Sequence, residues 1–297
     1  MSKCLITGGN GFVGQYLKNK LLQEGHIVET MDLNNPDNPV DITDRKQVFS
    51  EVARIRPERV FHLAGFSSVA MSFEKPELCR KINVDGTINL LDGITNLVDK
   101  EKTSEINDAS DYLPRILIIS SADVYGKPEY SPIDEKHPIG PVSPYGNSRV
   151  EQEKAALEWS QKNNLPVVIC RSFAHTGPGQ PENFVIPSFR KQVEEAKDGG
   201  IIKVGNLEVI RDFSDVRDVV KAYIGLIEKN VPNFIVNVGS GNAFKLKDVL
   251  HSMIKKSGKK LDVEVDPARY RPVDIMELVC DNKKLYSLID FRFRKLF

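Results

Sequence analysis

Short, nearly continuous apolar runs alternate with stretches whose apolar residues recur every three or four positions through the first half of the chain. The run at Lys3–Thr7 predicts a buried strand. Phe12–Gln23 places Val13, Leu17 and Leu21 on one helical face, and Arg45–Ile55 does the same with Val48, Val52 and Ile55. Further strands are predicted at 26–31, 59–64, 116–120 and 167–171, a long helix over 76–97 and another over 145–163. Between them, residues 99–111 are polar and mixed in charge and read as a surface insertion. Strands that are apolar throughout, alternating with amphipathic helices, predict an α/β fold: a doubly wound parallel sheet with helices on both faces.

Past Arg171 the alternation breaks. Proline and glycine concentrate in TGPGQPENFVIP, a helix follows, and KVGNLEVIRDF predicts a hairpin-like segment. A helix at 218–229 and a strand at 235–238 read as a return to the main sheet, and from Gly239 onward a smaller lobe closes the chain. The expected division is a sheet domain of residues 1–173 plus 212–240 and a second lobe of 174–211 plus 241–297.

Composition narrows the function classes. In 297 residues, 41 Lys and Arg balance 41 Asp and Glu. A neutral chain lacks the basic surplus that phosphate neutralisation requires, so neither nucleic acid nor an anionic membrane surface is an expected partner. No stretch approaches the roughly 20 apolar residues of a membrane span, and the first residues have no signal-peptide layout. The four cysteines (Cys4, Cys79, Cys170, Cys280) are far apart and read as reduced thiols of a cytoplasmic protein. Five scattered histidines form no ligand set, so no metal site is expected.

Candidate chemistry starts at Gly8, Gly11 and Gly14, a G-x-x-G-x-x-G turn between the first strand and the helix that begins with Phe12 and Val13. Such a turn lets a pyrophosphate approach the backbone and the positive end of the helix; an ordinary strand–helix turn is the alternative. Asp32 ends the second strand. A carboxylate there accepts both adenosine ribose hydroxyls and repels a 2′-phosphate, which favours NAD(H) over NADP(H); a strand-end cap is the alternative. Tyr145 and Arg149 stand four apart on one helical face. A phenol ionises near pH 10 and needs a neighbouring cation to act near neutrality. Ser121 ends a parallel strand, where open α/β sheets bind ligands.

These segments jointly resemble the extended short-chain dehydrogenase/reductases of the NAD-dependent epimerase/dehydratase family, whose core is a Rossmann-type sheet. TGGNGFVG resembles the family's phosphate turn, Asp41-Ile42 its adenine-contacting pair, and His62-Leu63-Ala64-Gly65 its HLAA strand end beside the cofactor. Asn83 in NVDGTINLL, SSADVYG at 120–126 and PYGNSR at 144–149 match further motifs in order. The resemblance implies Tyr145 as acid/base, Ser121 as partner of the reacting oxygen, and position 149 as ribose anchor and phenol tuner. The family has lysine at that position; Arg149 keeps the charge but is planar, bulkier and never neutral. Asp123 stands where the family's dehydratases carry a glutamate base, yet its neighbour is Ala122 and its reach is shorter, so dehydration is disfavoured.

GNLE at 205–208 followed by Arg211-Asp212-Phe213 resembles a segment that holds the nucleotide diphosphate in GDP-sugar enzymes. Asn206, Arg211, Arg271 and Lys191 are implied there as donors, with Ser67, Phe184 and Val204 on the substrate side and His175 shaping the loop. Ala174 replaces the family's asparagine before H-x-G-P-G. Asp215 and Asp218 are expected to cap a helix. The implied activity is NAD(H)-dependent oxidoreduction at C4 of a nucleotide-diphosphate sugar, GDP-linked and of the 4-keto-6-deoxy-mannose type. A C4 dehydrogenase, a C4 epimerase or a silent binding homologue stand as alternatives. The implied assembly is a homodimer through the helices at 76–97 and 145–163.

Overall fold

The computed structural model describes residues 1–103, 112–229, 233–270 and 272–297. The first half runs β1 (Lys3–Thr7), α1 (Phe12–Gln23), β2 (Ile27–Met31), α2 (Arg45–Ile55), β3 (Arg59–His62), α3 (Val69–Glu74), α4 (Pro76–Arg80), α5 (Gly86–Thr103), β4 (Arg115–Ser121), α6 (Pro144–Asn163) and β5 (Val167–Ser172). The remainder follows as β6 (His175–Thr176), α7 (Val185–Glu195), β7 (Ile201–Val204), β8 (Ile210–Asp212), β9 (Ser214–Asp215) and α8 (Val216–Ile227). It closes with β10 (Phe234–Val238), β11 (Ala243–Lys245), α9 (Leu246–Ser257), β12 (Asp262–Val265), β13 (Glu277–Leu278) and α10 (Lys283–Leu288).

Six strands form one sheet in the order β10-β5-β4-β3-β1-β2, and every pairing in it is parallel. Its central strands carry side chains that are buried on both faces, as Ile116, Leu117 and Ile118 are. One face packs Val48 and Val52 of α2 against Leu90, Leu91 and Ile94 of α5, with Trp159 of α6 beside them. The other packs Leu17 and Leu21 of α1 against Val219, Tyr223 and Leu226 of α8. Fully burying each such side chain is worth about 1.5–3 kcal/mol, so the sheet is the rigid frame to which the site is attached. The doubly wound α/β reading therefore holds, with smaller sheets built from the later strands.

Three local expectations differ. The helix expected at 76–97 is a composite: α4 passes through a π-helical turn at Lys81–Asp85 and α5 runs on to Thr103. A separate helix, α3, precedes it, capped by Ser68, whose Oγ accepts from Met71 N at 3.2 Å. The backbone leaves helical geometry at Lys75, with φ −131° and ψ 58°, which divides α3 from α4. Residues 99–103 of the expected insertion are thus helical, and 104–111 lie outside the described residues. Finally, KVGNLEVIRDF is no hairpin. β7 pairs in parallel with β12, and β8 pairs with β11 and β13, so two distant partners separate strands adjacent in sequence.

The later strands and helices share a second core: Phe189 and Val193 of α7, Ile202 and Val204 of β7, and Val249 and Leu250 of α9. Asp212 ties this region together, accepting from Ser240 N (3.0 Å), Ser240 Oγ (2.5 Å), Gly241 N (2.7 Å) and Cys280 N (3.3 Å). The final segment returns to both cores: Leu285 and Ile289 pack beneath the main sheet, while Phe297 meets Phe244 edge-on at 5.2 Å in the second.

Candidate active site

Residues at the C-terminal ends of five neighbouring strands line one cavity of about 1010 Å³: Gly8 after β1, Met31 and Asp32 at the end of β2, Leu63 after β3, Ser121 of β4 and Ser172 of β5. This is where open parallel sheets place ligands, because helix N-termini and diverging loops meet there. The opposite wall comes from α7, β7, the loop after it, and Ala268, Arg269, Tyr270, Pro272 and Asp274.

The phosphate turn owes its shape to its glycines. Gly8 has φ +71°, and a Cβ on Gly14 would come within 2.3 Å of Gly8 O, so these two positions admit no side chain. Helix α1 starts from Gly11 with no side-chain cap and no acidic residue in its first turn. Helices α2, α6 and α8 are capped by Asp44, Ser143 and Asp215, whereas α7 and α9, like α1, begin without a side-chain cap. The uncapped N–H groups and dipole end are what an anionic phosphate requires. Asp32 is buried; Oδ2 accepts from Asn10 N at 2.9 Å and Oδ1 from Asn34 N at 2.8 Å. Phe12, Val13, Asp41, Ile42, Ala64 and Gly65 complete this half of the lining.

Asn83 is not on the cavity wall. It sits in the π-helical turn, where Oδ1 accepts from Phe66 N (2.7 Å) and Nδ2 donates to Ser148 Oγ (2.8 Å), joining the segment after β3 to α6. A π-turn at a site's edge is a recurrent device for aiming such a side chain.

Tyr145 stands in the first turn of α6, which Pro144 starts and Ser143 caps, with Oγ accepting from Gly146 N at 3.0 Å. Ser72 Oγ accepts from Tyr145 N at 3.1 Å, fixing that turn against α3. One turn on, the Arg149 guanidinium lies 5.3 Å from the Tyr145 ring centroid and is 5% exposed. Nη1 donates to Ile119 O (3.1 Å) and Gln152 Oε1 (2.9 Å), Nη2 reaches Phe66 O (3.5 Å), and Nε is buried with no hydrogen-bond partner among the described residues. Ser121 Oγ donates to Asp123 Oδ2 at 3.0 Å and accepts from Asp123 N at 3.1 Å. Tyr145, Arg149, Ser121 and Asp123 all face the cavity.

Behind this group the sheet carries a second polar layer that sequence reasoning missed. Arg171 and Glu153 form a buried ion pair at 2.7 Å, and Ser120 Oγ donates to Glu153 Oε1. Arg171 Nη1 also donates to Tyr125 Oη, which donates to Asn237 Oδ1; burial pushes the Tyr125 phenol up to about 12. Tyr125 therefore stays protonated as a structural donor. His62 is likewise buried, and desolvation, helped by the charge of Arg149, lowers its pKa to about 3.

On the substrate side, Ser67, His175, Phe184, Val204, Asn206 and Arg211 line the cavity. His175 stacks on Phe12 with centroids 6.2 Å apart, coupling the phosphate turn to the opposite wall, and burial lowers its pKa. Lys191, expected on this side, is not on the cavity wall: its side chain is 43% exposed and pairs with Glu182 at 2.5 Å. Arg271 lies outside the described residues. Two cations not singled out from sequence, Lys203 and Arg269, do line the wall, as does Asp274, which accepts from Asn206 Nδ2 at 3.1 Å. Their proximity in sequence to GNLE and to Arg271 was the available signal. Asp215 caps α8 as expected, accepting from Arg217 N; Asp218 lies in its first turn and pairs with Arg294 at 2.7 Å.

Residues 5–297 match the family model described as GDP-mannose 4,6 dehydratase. The GDP-6-deoxy-D-mannose reductase of Pseudomonas aeruginosa is 32% identical over 281 residues, covering 91% of this chain and 84% of the relative. The solved structure of RMD from Pseudomonas aeruginosa complexed with NADPH superposes with a TM-score of 0.84 at 26% identity, covering 100% of this chain and 95% of that one. The UDP-glucose 4-epimerase of Thermus thermophilus, solved in complex with NAD, gives 0.81 at 26% identity, covering 96% and 92%. An uncapped glycine turn, a tyrosine–cation pair on α6 and a match along nearly the whole length converge: the chain belongs to the NAD-dependent epimerase/dehydratase family of extended short-chain dehydrogenase/reductases.

Proposed function

We propose that this protein is an NADH-dependent reductase acting at C4 of a GDP-linked 4-keto-6-deoxy-mannose-type sugar. The observation that carries the reading is the single cavity that joins the uncapped turn and Asp32 to Tyr145, Ser121 and Arg149, and these in turn to Asn206 and Arg211. The names of the family model and of the 32%-identical relative support the GDP-sugar assignment.

The residues fit a nicotinamide dinucleotide. The turn Gly8–Gly14 with Phe12 and Val13 holds the pyrophosphate, Asp32 the adenosine ribose, and Asp41 and Ile42 border the adenine; Leu63, Ala64 and Gly65 support the middle. When bound, the nicotinamide supplies the hydride for C4. Tyr145 gives its phenolic proton to the sugar oxygen as charge develops there, and is reprotonated from solvent. Arg149 places a fixed positive charge beside the phenol, which favours the phenolate left behind. Ser121 turns its hydroxyl from Asp123 to the reacting oxygen, so Asp123 acts as the resting acceptor of that proton rather than as a dehydratase base. Arg211, Lys203 and Arg269 supply positive charge for the diphosphate. Two lobes, 1–173 plus 212–240 and 174–211 plus 241–297, and pairing of two copies through the helical segments 76–97 and 145–163 belong to the same proposal.

Mass spectrometry of material released from the purified protein, with cofactor exchange, tests the direction of chemistry. A reductase releases little cofactor and exchanges added NADH freely; tightly retained NAD⁺ with no net NADH consumption indicates a C4 epimerase and overturns the proposal. Tyr145→Phe should lower turnover about 100- to 10,000-fold with cofactor binding largely kept. Parental turnover in that variant would place the acid elsewhere.

A further inference from the structure

Arg149 is the position at which the chain departs from the family lysine, and a guanidinium in a buried site needs acceptors that an ammonium does not. The helix supplies one. Gln152 is wholly buried, is not on the cavity wall, and accepts from Arg149 Nη1 at 2.9 Å through Oε1. Its own orientation is set from the other side, because Nε2 donates to Thr87 Oγ1 at 2.8 Å. Thr87 in turn donates to Asn83 O at 2.6 Å. With that proton committed, Thr87 is an acceptor toward His62 Nε2 at 2.8 Å, so His62 carries its proton on Nε2. His62 Nδ1 then accepts from Thr7 Oγ1 at 2.7 Å, and Thr7 Oγ1 accepts from Ala64 N at 3.1 Å. The chain of bonds has one consistent direction, and it fixes which end of the Gln152 amide faces Arg149. Gly65 completes the berth: a Cβ there would lie 2.6 Å from Arg149 Nη2.

We infer that Gln152 is the positioning residue for Arg149: its carbonyl oxygen, oriented through Thr87 and His62, holds the guanidinium beside the Tyr145 ring at the cavity wall, where the nicotinamide end of the cofactor would meet it. This rests on the proposed cofactor role of Arg149 but not on the identity of the sugar. A lysine at 149 has a single compact ammonium and no use for the Gln152 carbonyl, so the dependence on Gln152 should vanish when arginine does.

The test is a thermodynamic cycle read by cofactor affinity, using whichever of NADH and NADPH the parent binds more tightly, with no sugar present. Gln152→Met removes the acceptor at similar volume, and loss of a charged buried hydrogen bond should raise Kd roughly tenfold or more. Gln152→Glu keeps an acceptor oxygen for Arg149 but gives up the donor to Thr87 Oγ1, so its Kd should fall between those of the parent and Gln152→Met, a partial rescue that a packing role would not give. In the Arg149→Lys background, Gln152→Met should change Kd by less than about twofold. Equal losses in both backgrounds, no loss in the parent background, or Gln152→Glu as weak as Gln152→Met would each overturn the inference. Thermal melts of all variants accompany the titrations, and a Gln152→Met that does not fold leaves the Gln152→Glu comparison to decide. Failure of the GDP-sugar reading alone would leave every one of these titrations unchanged.

Discussion

Asp32 sits at the end of β2 with each carboxylate oxygen already accepting one backbone N–H. Both oxygens keep lone-pair capacity for ribose hydroxyls, whereas a 2′-phosphate would bring like charge into a buried site. Asp32→Asn should therefore narrow the preference for NADH over NADPH by roughly tenfold, about 1.4 kcal/mol. Titration of both cofactors into both proteins checks this; an unchanged ratio would remove the discriminating role. His62 allows a second residue-scale prediction. Its folded pKa is about 3 against an ordinary value of 6.5. Between those values the unfolded chain binds a proton that the folded chain refuses, so stability is full above about pH 6.5 and falls as pH drops toward 3. The slope from this one group is at most about 1.4 kcal/mol per pH unit. Urea midpoints between pH 6.5 and 5, above most carboxylate titration, should fall in the parent and stay flatter in His62→Gln. Parallel slopes would show that His62 is not the group titrating. The residues most legible in sequence were those whose type is itself the signal, such as Tyr145 and Asp32. The position of Lys191 off the cavity wall was not legible, because a lone cation does not announce its partner, here Glu182 on the preceding loop.

At the scale of elements, β1, the glycine turn and α1 emerge where the hydrophobic pattern puts them because the constraint is local. A Cβ on Gly14 would approach Gly8 O to 2.3 Å, a backbone contact that no rotamer change relieves. Gly14→Ala should cost about 1–3 kcal/mol through backbone displacement and weaken cofactor binding, both readable by urea unfolding and titration. A fully stable, cofactor-competent Gly14→Ala would contradict the tight turn. Elements that depend on distant partners were less legible. The π-helical turn at Lys81–Asp85 carries Asn83, whose partners Phe66 and Ser148 lie far away in sequence. Likewise β7 finds β12 rather than β8, a pairing no local pattern encodes. Periodicity reads which residues are buried, not against what.

For the whole molecule, the six-stranded sheet and the position of the cavity at its C-terminal edge were both legible, since strand–helix alternation leaves few topologies. The far wall was only partly so: Asn206 and Arg211 line it, but Lys203, Arg269 and Asp274 arrive through tertiary packing. The final segment makes contacts that no local pattern announces: Arg294 pairs with Asp218 of α8, and Phe297 meets Phe213 in the second core. What the assembled cavity does is tested most directly by following an isotopic label. Incubation of the purified protein with a GDP-linked 4-keto-6-deoxy-mannose and NADH deuterated at the transferable position should consume NADH and yield a GDP-6-deoxyhexose carrying one deuterium at C4, with Tyr145→Phe nearly inactive. A product without deuterium at C4, or turnover without net NADH oxidation, would contradict the account.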